Sequence, residues 1–186
     1  MKRLLIMTIG KTHSGKSTFA KALEKRMPNS IVVDQDNHAE ILQTYYPALV
    51  PQEGPNTIKY ALTQTIVDYA VNETNCHVIL CNSNRNHKGR MNILDYYHEK
   101  EFTSILVNFD ILAHVLEERI RKSRRSTTIL RTTSSFEEVL TQQQNETFKD
   151  NLVVPSKSEA DYLFVIKNAN EVESIISKII EIAQNH

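Results

Sequence analysis

Four glycines in 186 residues, two cysteines and no excess charge of either sign narrow this sequence before any motif is read. Cys76 and Cys81 flank His77-Val78-Ile79-Leu80, a spacing that matches neither a CxxC redox pair nor a ladder of zinc ligands. The histidines contain no HxxxH or HxH pairing, so a structural zinc site is not expected. Lys and Arg total 22, as do Asp and Glu, which excludes a polybasic coat for nucleic acid and the net charge of a disordered chain. No apolar run approaches a membrane span, and Leu4-Leu5-Ile6-Met7 is too short and too soon followed by Gly10-Lys11 for a secretory signal. Repeats, low-complexity tracts and Ser/Gly linkers are missing as well. The expectation is one domain over residues 1–186, in a reducing, cytoplasmic setting, with no membrane and no obligate protein partner in evidence.

What is there is a regular alternation. Arg3 to Ile9 is a near-continuous apolar run, as in a strand covered on both faces of a parallel sheet. Ser17 to Arg26 has helical spacing, Ile31 to Val33 is a second short strand, and His38 to Tyr46 a second helix capped from Asp34-Gln35-Asp36-Asn37. A proline-stiffened loop from Pro47 to Pro55 precedes a helix over Thr57 to Asn72. His77 to Cys81 is the third strand, Met91 to Lys100 a helix, Thr103 to Phe109 the fourth strand and Ile111 to Lys122 a helix that turns strongly basic. A hydroxyl-rich, Arg-studded stretch, Ser123 to Ser135, follows; Ser134 with Glu137 resembles a capping box opening a helix to Gln144 or Phe148. Tyr162 to Ile166 is the last strand, and Asn170 with Glu173 opens a terminal helix. Strands alternating with helices predict an α/β fold in three layers, a roughly five-stranded parallel sheet with helices on both faces.

The motif that carries chemistry is Gly10-Lys11-Thr12-His13-Ser14-Gly15-Lys16-Ser17, a full G-x-x-x-x-G-K-[ST] between a buried strand and a helix start. Two of the four glycines stand at its required positions. Such a phosphate loop (P-loop) binds nucleotide through backbone N–H groups and a helix N-terminus, so Gly10, Thr12, His13, Ser14, Gly15, Lys16, Ser17 and Thr18 are the expected ATP-binding residues. Lys16 would reach the outer phosphates and Ser17 would coordinate Mg²⁺. A GTP-binding switch would carry N-K-x-D and D-x-x-G, and neither string occurs. A phosphotransferase instead needs a base for an acceptor hydroxyl and cations over the moving phosphoryl group.

Ligands of open α/β sheets lie beyond the carboxyl ends of the strands, which singles out Asp34, Asp36 and Asp110. Asp36 is placed to accept a hydroxyl proton, against the alternative of capping the helix; Asp34 would hold Mg²⁺ or cap the turn. Asp110 is a second metal-side acid or a helix cap. Arg119, Arg121, Lys122, Arg124 and Arg125 crowd into seven residues, with Arg131 beyond. Arg121 and Arg125 would project from one face if the helix continued and could clamp phosphoryl oxygens; the alternative is a solvated helix end paired with Glu117 and Glu118.

With these residues the chain resembles P-loop kinases of the polynucleotide kinase and zeta-toxin type, the AAA_33-like ATP-binding proteins. The segments that carry the likeness are GKTHSGKST, VVDQDNH, VILCNSNRNHKGR, NFDILAHVLEERIRKSRR and VPSKSEADYLFVI. The resemblance implies a P-loop NTPase fold, Asp36 as base, Lys16 and Ser17 on phosphate and Mg²⁺, and Arg121 with Arg125 in an Arg-rich lid over about 119–135. Two positions depart from the family pattern. Cys81-Asn82 stands where an acid usually follows the third strand, and Ala39 stands where polynucleotide-specific members carry an Arg.

The function expected is therefore transfer of the ATP γ-phosphate to a hydroxyl of a nucleoside, a nucleotide, a nucleic-acid 5′ end or a small molecule. The alternatives are a nucleotide-binding module or slow ATPase with a degenerate Mg²⁺ site, and a zeta-toxin-like UDP-sugar kinase. The Pro47 to Pro55 loop and the helix after it, with Tyr45, Tyr46 and Tyr60, are the expected acceptor wall.

Overall fold

The computed structural model describes residues 2–146 and 152–185. Its centre is a parallel sheet of β1 (Leu4–Gly10), β2 (Ser30–Val33), β3 (His77–Leu80), β4 (Thr103–Phe109) and β5 (Tyr162–Ile166), in the order β2-β3-β1-β4-β5. β1 lies in the middle and every one of its residues is buried, which explains its unbroken apolar composition. Alternate β1 side chains feed two cores. Leu4 and Ile6 pack with α1 (Lys16–Arg26) and α7 (Val172–Asn185), whereas Leu5 and Met7 pack with α3 (Thr57–Glu73) and α4 (His87–Glu99). The three-layer arrangement follows.

The remaining helices are α2 (Gln35–Tyr45), α5 (Ala113–Lys122) and α6 (Phe136–Asn145). α5 and α6 share a small apolar cluster of their own, Leu116 and Ile120 against Phe136 and Leu140. Arg131, between them, donates to the Pro51 and Gly54 carbonyls and so ties the 123–135 segment to the proline-rich loop after α2.

Several helix starts differ from the sequence expectation, most of them because a different side chain does the capping. α2 begins at Gln35 because Asp34 is its cap, its carboxylate accepting from the Asp36 amide at 3.0 Å; Asp36 is therefore in the first turn and free of that duty. α4 begins at His87, four residues earlier than expected, because Asn86 caps it. Asp110 caps nothing: α5 starts at Ala113 with no side-chain cap, and the Asp110 amide donates to the Ile166 carbonyl. Ser135 rather than Ser134 caps α6, which ends at Asn145; Phe148 lies outside the described residues. The capping box before α7 is Asn168 with Glu171, opening a 3-10 turn over Ala169–Glu171, in place of Asn170 with Glu173.

Candidate active site

The carboxyl ends of the strands open into a cavity of about 980 Å³, walled by the phosphate loop, Asp34 to Asn37, Cys81 to Ser83, Phe109, Ile166 and parts of α3, α5 and α6. Gly10 hands β1 over to the loop with φ +153°, where a Cβ would come within 2.9 Å of the Phe109 Cβ; only glycine fits. Gly15, at φ +105°, puts α1 into motion without a capping side chain, and the first turn of α1 holds no acid. The amides that open α1 therefore face the cavity with only the partial charge of the helix end, a cradle matched to phosphate oxygens.

Lys16 is folded back within that loop, its Nζ donating to the Lys11 carbonyl at 2.7 Å and to Ser14 Oγ at 3.3 Å. Burial lowers its ammonium from the usual lysine value to about 8, against the opposing pull of Asp36 and Asp34. The Ser17 hydroxyl donates to the Asp34 carboxylate at 2.9 Å, which brings together one hydroxyl and one carboxylate oxygen from two elements. Such hard oxygen donors suit Mg²⁺, which takes few protein ligands and keeps its water. Cys81 lies 3.5 Å from Ser17 Oγ, at the place of the absent acid. Burial pushes its thiol up to about 11, so it stays protonated and adds no charge to this corner. Asn82 Oδ1 accepts from the Gln35 amide, a second tie for the start of α2.

Asp36 faces the same cavity from the first turn of α2 and is held by the Arg125 guanidinium. Arg125 in turn stacks over the Phe136 ring at 5.1 Å, and Phe136 meets the His13 imidazole edge to face at 4.8 Å. Burial, joined by the positive charge of Arg125, lowers the His13 pKa, so the imidazole packs as a neutral ring. Arg121 is elsewhere. α5 stops at Lys122, so Arg121 and Arg125 share no helical face, and Arg121 is exposed outside the cavity wall. The arginine of α5 that reaches the loop is Arg119, donating to the carbonyls of Ser14 at 2.9 Å and His13 at 3.2 Å. The sequence names Arg119 within the basic run but assigns the clamp to Arg121; the phase of Arg119 beside the buried Leu116 and Ile120 is the signal that separates them.

Two further participants were not singled out in the sequence. Gln143 of α6 accepts the Thr12 amide hydrogen bond through its Oε1 at 2.7 Å, and Lys59 of α3 lines the cavity next to Tyr60. Of the wall expected from the sequence, Tyr60 and its helix line the cavity, whereas Tyr45, Tyr46 and the Pro47 to Pro55 loop do not.

A family model described as an AAA domain, AAA_33, matches residues 5–150. The chain belongs to the AAA_33 family. No curated protein sequence is similar to it. Among solved structures, this AAA_33 chain is similar to Kti12 of Chaetomium thermophilum in complex with ADP-AlF3, at 16% identity and TM-score 0.64 over 95% of this chain and 97% of that one. It is likewise similar to APS kinase CysC of Mycobacterium tuberculosis in complex with AMPPNP and APS, at 14% identity and TM-score 0.58 over 98% of both chains. Shikimate kinase of Bacteroides thetaiotaomicron gives 16% identity and TM-score 0.56 over 97% of this chain and 98% of that one. At these identities the likeness is one of fold, and the fold is that of P-loop kinases.

Proposed function

We propose that this AAA_33 protein is a Mg²⁺-requiring, ATP-dependent phosphotransferase of a single domain, with residues 119–135 serving as its lid and a small-molecule or nucleotide hydroxyl as acceptor. One observation carries the reading: the phosphate cradle and Asp36 face one cavity, and Asp36 is spent on neither a helix cap nor the core. That two similar structures are named kinases, and that two hold ADP-AlF3 or AMPPNP, supports it.

In this reading the loop amides and Lys16 hold the ATP phosphates. The acceptor hydroxyl passes its proton to the Asp36 carboxylate as its oxygen bonds to the γ-phosphorus; the bond from that phosphorus to the β-bridging oxygen breaks, and ADP leaves. Arg125, with Arg119 behind the loop, supplies positive charge where the transferring group carries negative charge. Mg²⁺ held by Ser17 and Asp34 would neutralise phosphate charge. The free thiols of Cys76 and Cys81 suit a reducing, cytoplasmic setting.

The test is incubation with γ-labelled ATP and Mg²⁺ against nucleosides, nucleotides, UDP-sugars, small alcohols and 5′-hydroxyl DNA and RNA. Label on one acceptor class is expected, abolished by Lys16→Ala; Asp36→Asn should keep ATP binding and lose transfer. Transfer at the wild-type rate in Asp36→Asn would remove Asp36 from its role. A second reading, a nucleotide-binding module or slow ATPase, draws on Cys81 in the acid's place and on Asn82 being occupied at the α2 start. ATP binding with no labelled acceptor would favour it.

A further inference from the structure

The acceptor side of the cavity carries a cation that the phosphate loop does not explain. Lys59 is half-buried in the first turn of α3, on the wall that also holds Asp36 and Tyr60. Its backbone is held from two directions. Asn56 caps α3 by accepting from the Lys59 amide at 3.2 Å, and the Lys59 carbonyl accepts from Thr63 Oγ1, which lies 2.8 Å from His38 Nδ1 of α2. The turn that bears Lys59 is thus tied, through a buried histidine, to the helix that bears Asp36.

Its charge is compensated only weakly. Lys59 makes no ion pair among the described residues; its nearest aromatic contact is the Tyr60 ring, 4.9 Å away. It stands in a first helical turn that contains no acid, where the helix favours negative charge. Burial lowers its ammonium from the usual lysine value; Asp36 pulls the other way and Arg131 adds to the lowering. Asp36 itself is already paired with Arg125. A half-buried ammonium with no ion-pair partner among the described residues, in a cavity wall that also bears Arg125, is an arrangement that an anion in the cavity would relieve.

The geometry points to an anion subsite on Lys59 that makes the acceptor a small hydroxyl compound bearing a phosphate or carboxylate group. This rests on the phosphotransferase reading: the hydroxyl gives its proton to Asp36 and receives the phosphoryl group, while the anionic group stays unreacted on Lys59. Small size is favoured over a nucleic-acid end because Arg131 bridges to the Pro51 and Gly54 carbonyls near this side, and because Ala39 of the adjoining α2 offers no anchor for a polymer phosphate.

Matched acceptors decide the matter: glycerol against glycerol 3-phosphate and glycerate, ribose against ribose 5-phosphate, adenosine against AMP, and a 5′-hydroxyl oligonucleotide. Transfer from ATP is followed by phosphorus NMR. Binding of the same compounds is measured by calorimetry on protein saturated with AMPPNP and Mg²⁺, so that the phosphate loop is filled. The expected result is transfer to an anionic member over its neutral partner. Lys59→Met should raise the acceptor KM about ten- to a hundredfold, the scale of a charged hydrogen bond, and Lys59→Arg should restore much of it, with the ATP KM unchanged throughout. Transfer to neutral acceptors or to the oligonucleotide, indifferent to Lys59→Met, would overturn the subsite and leave the kinase standing. Lys59-dependent binding of anions with no transfer would keep the subsite and overturn the kinase. Neither binding nor transfer would overturn both.

Discussion

Lys16 is the residue whose state the nucleotide should change most. With its ammonium lowered to about 8 by burial, part of the protein carries a neutral Lys16 just above that pH. Phosphate oxygens stabilise the charged form, so binding raises the pKa and draws in a proton in the window from about 8 upward. The sign is fixed: ATP affinity falls as pH rises through 8. Calorimetry at pH 8.5 in two buffers of different ionisation heat should show proton uptake on ATP binding, absent in Lys16→Met. Equal heats in both buffers would show that Lys16 is charged in the free protein. Cys81 adds nothing to this titration, because burial holds its thiol at about 11.

At the scale of elements, the phase of α5 decides which arginine matters. Leu116 and Ile120 point into the cluster with Phe136 and Leu140, which turns Arg119 under the phosphate loop and Arg121 out to water. Arg119→Ala should weaken nucleotide binding about tenfold, through the loss of two charge-assisted hydrogen bonds to loop carbonyls, whereas Arg121→Ala should leave affinity and stability within about 0.5 kcal/mol of wild type. Isothermal binding of AMPPNP separates the two variants. The same logic sets what was legible beforehand. The strands and their order of alternation were readable because β1, β3 and β4 are buried on both faces and their apolar runs admit no other reading. The loop was readable because its chemistry is local, eight consecutive residues between strand and helix. The starts of α2 and α4 lie three and four residues before the expected ones, because several Asp or Asn compete as caps and tertiary hydrogen bonds such as that from the Gln35 amide to Asn82 help to set the winner. Of Lys59 only the helix was legible, and Gln143 was not, because each reaches the site from a separate helix whose placement no local pattern encodes.

For the whole molecule the most consequential buried contact lies off the site. Arg90 and Glu159 are joined by two hydrogen bonds, at 2.6 and 3.2 Å, and Arg90 also reaches the Asn84, Arg85 and Val153 carbonyls, clasping the loop after β3 to the segment before β5. Burial alone would raise the Glu159 carboxyl, but hydrogen bonds from Arg90 and the Ser156 amide hold it below its ordinary range. Its contribution is therefore full above the unfolded carboxyl value and is lost as pH falls through the folded one. Arg90→Leu strands a buried carboxylate and should cost about 3–5 kcal/mol in urea unfolding, with Arg90→Leu/Glu159→Leu recovering part of it; an equal loss in both would assign the effect to packing. The oxygen of Gln143 already sits on the Thr12 amide, so a ligand claiming that N–H enters by exchange and evicts a tenant. α6 carries that tenant together with Phe136, on which both His13 and Arg125 rest. One helix thus serves both ends of the cavity, with its Gln143 on the phosphate loop and its Phe136 beneath the arginine that holds Asp36.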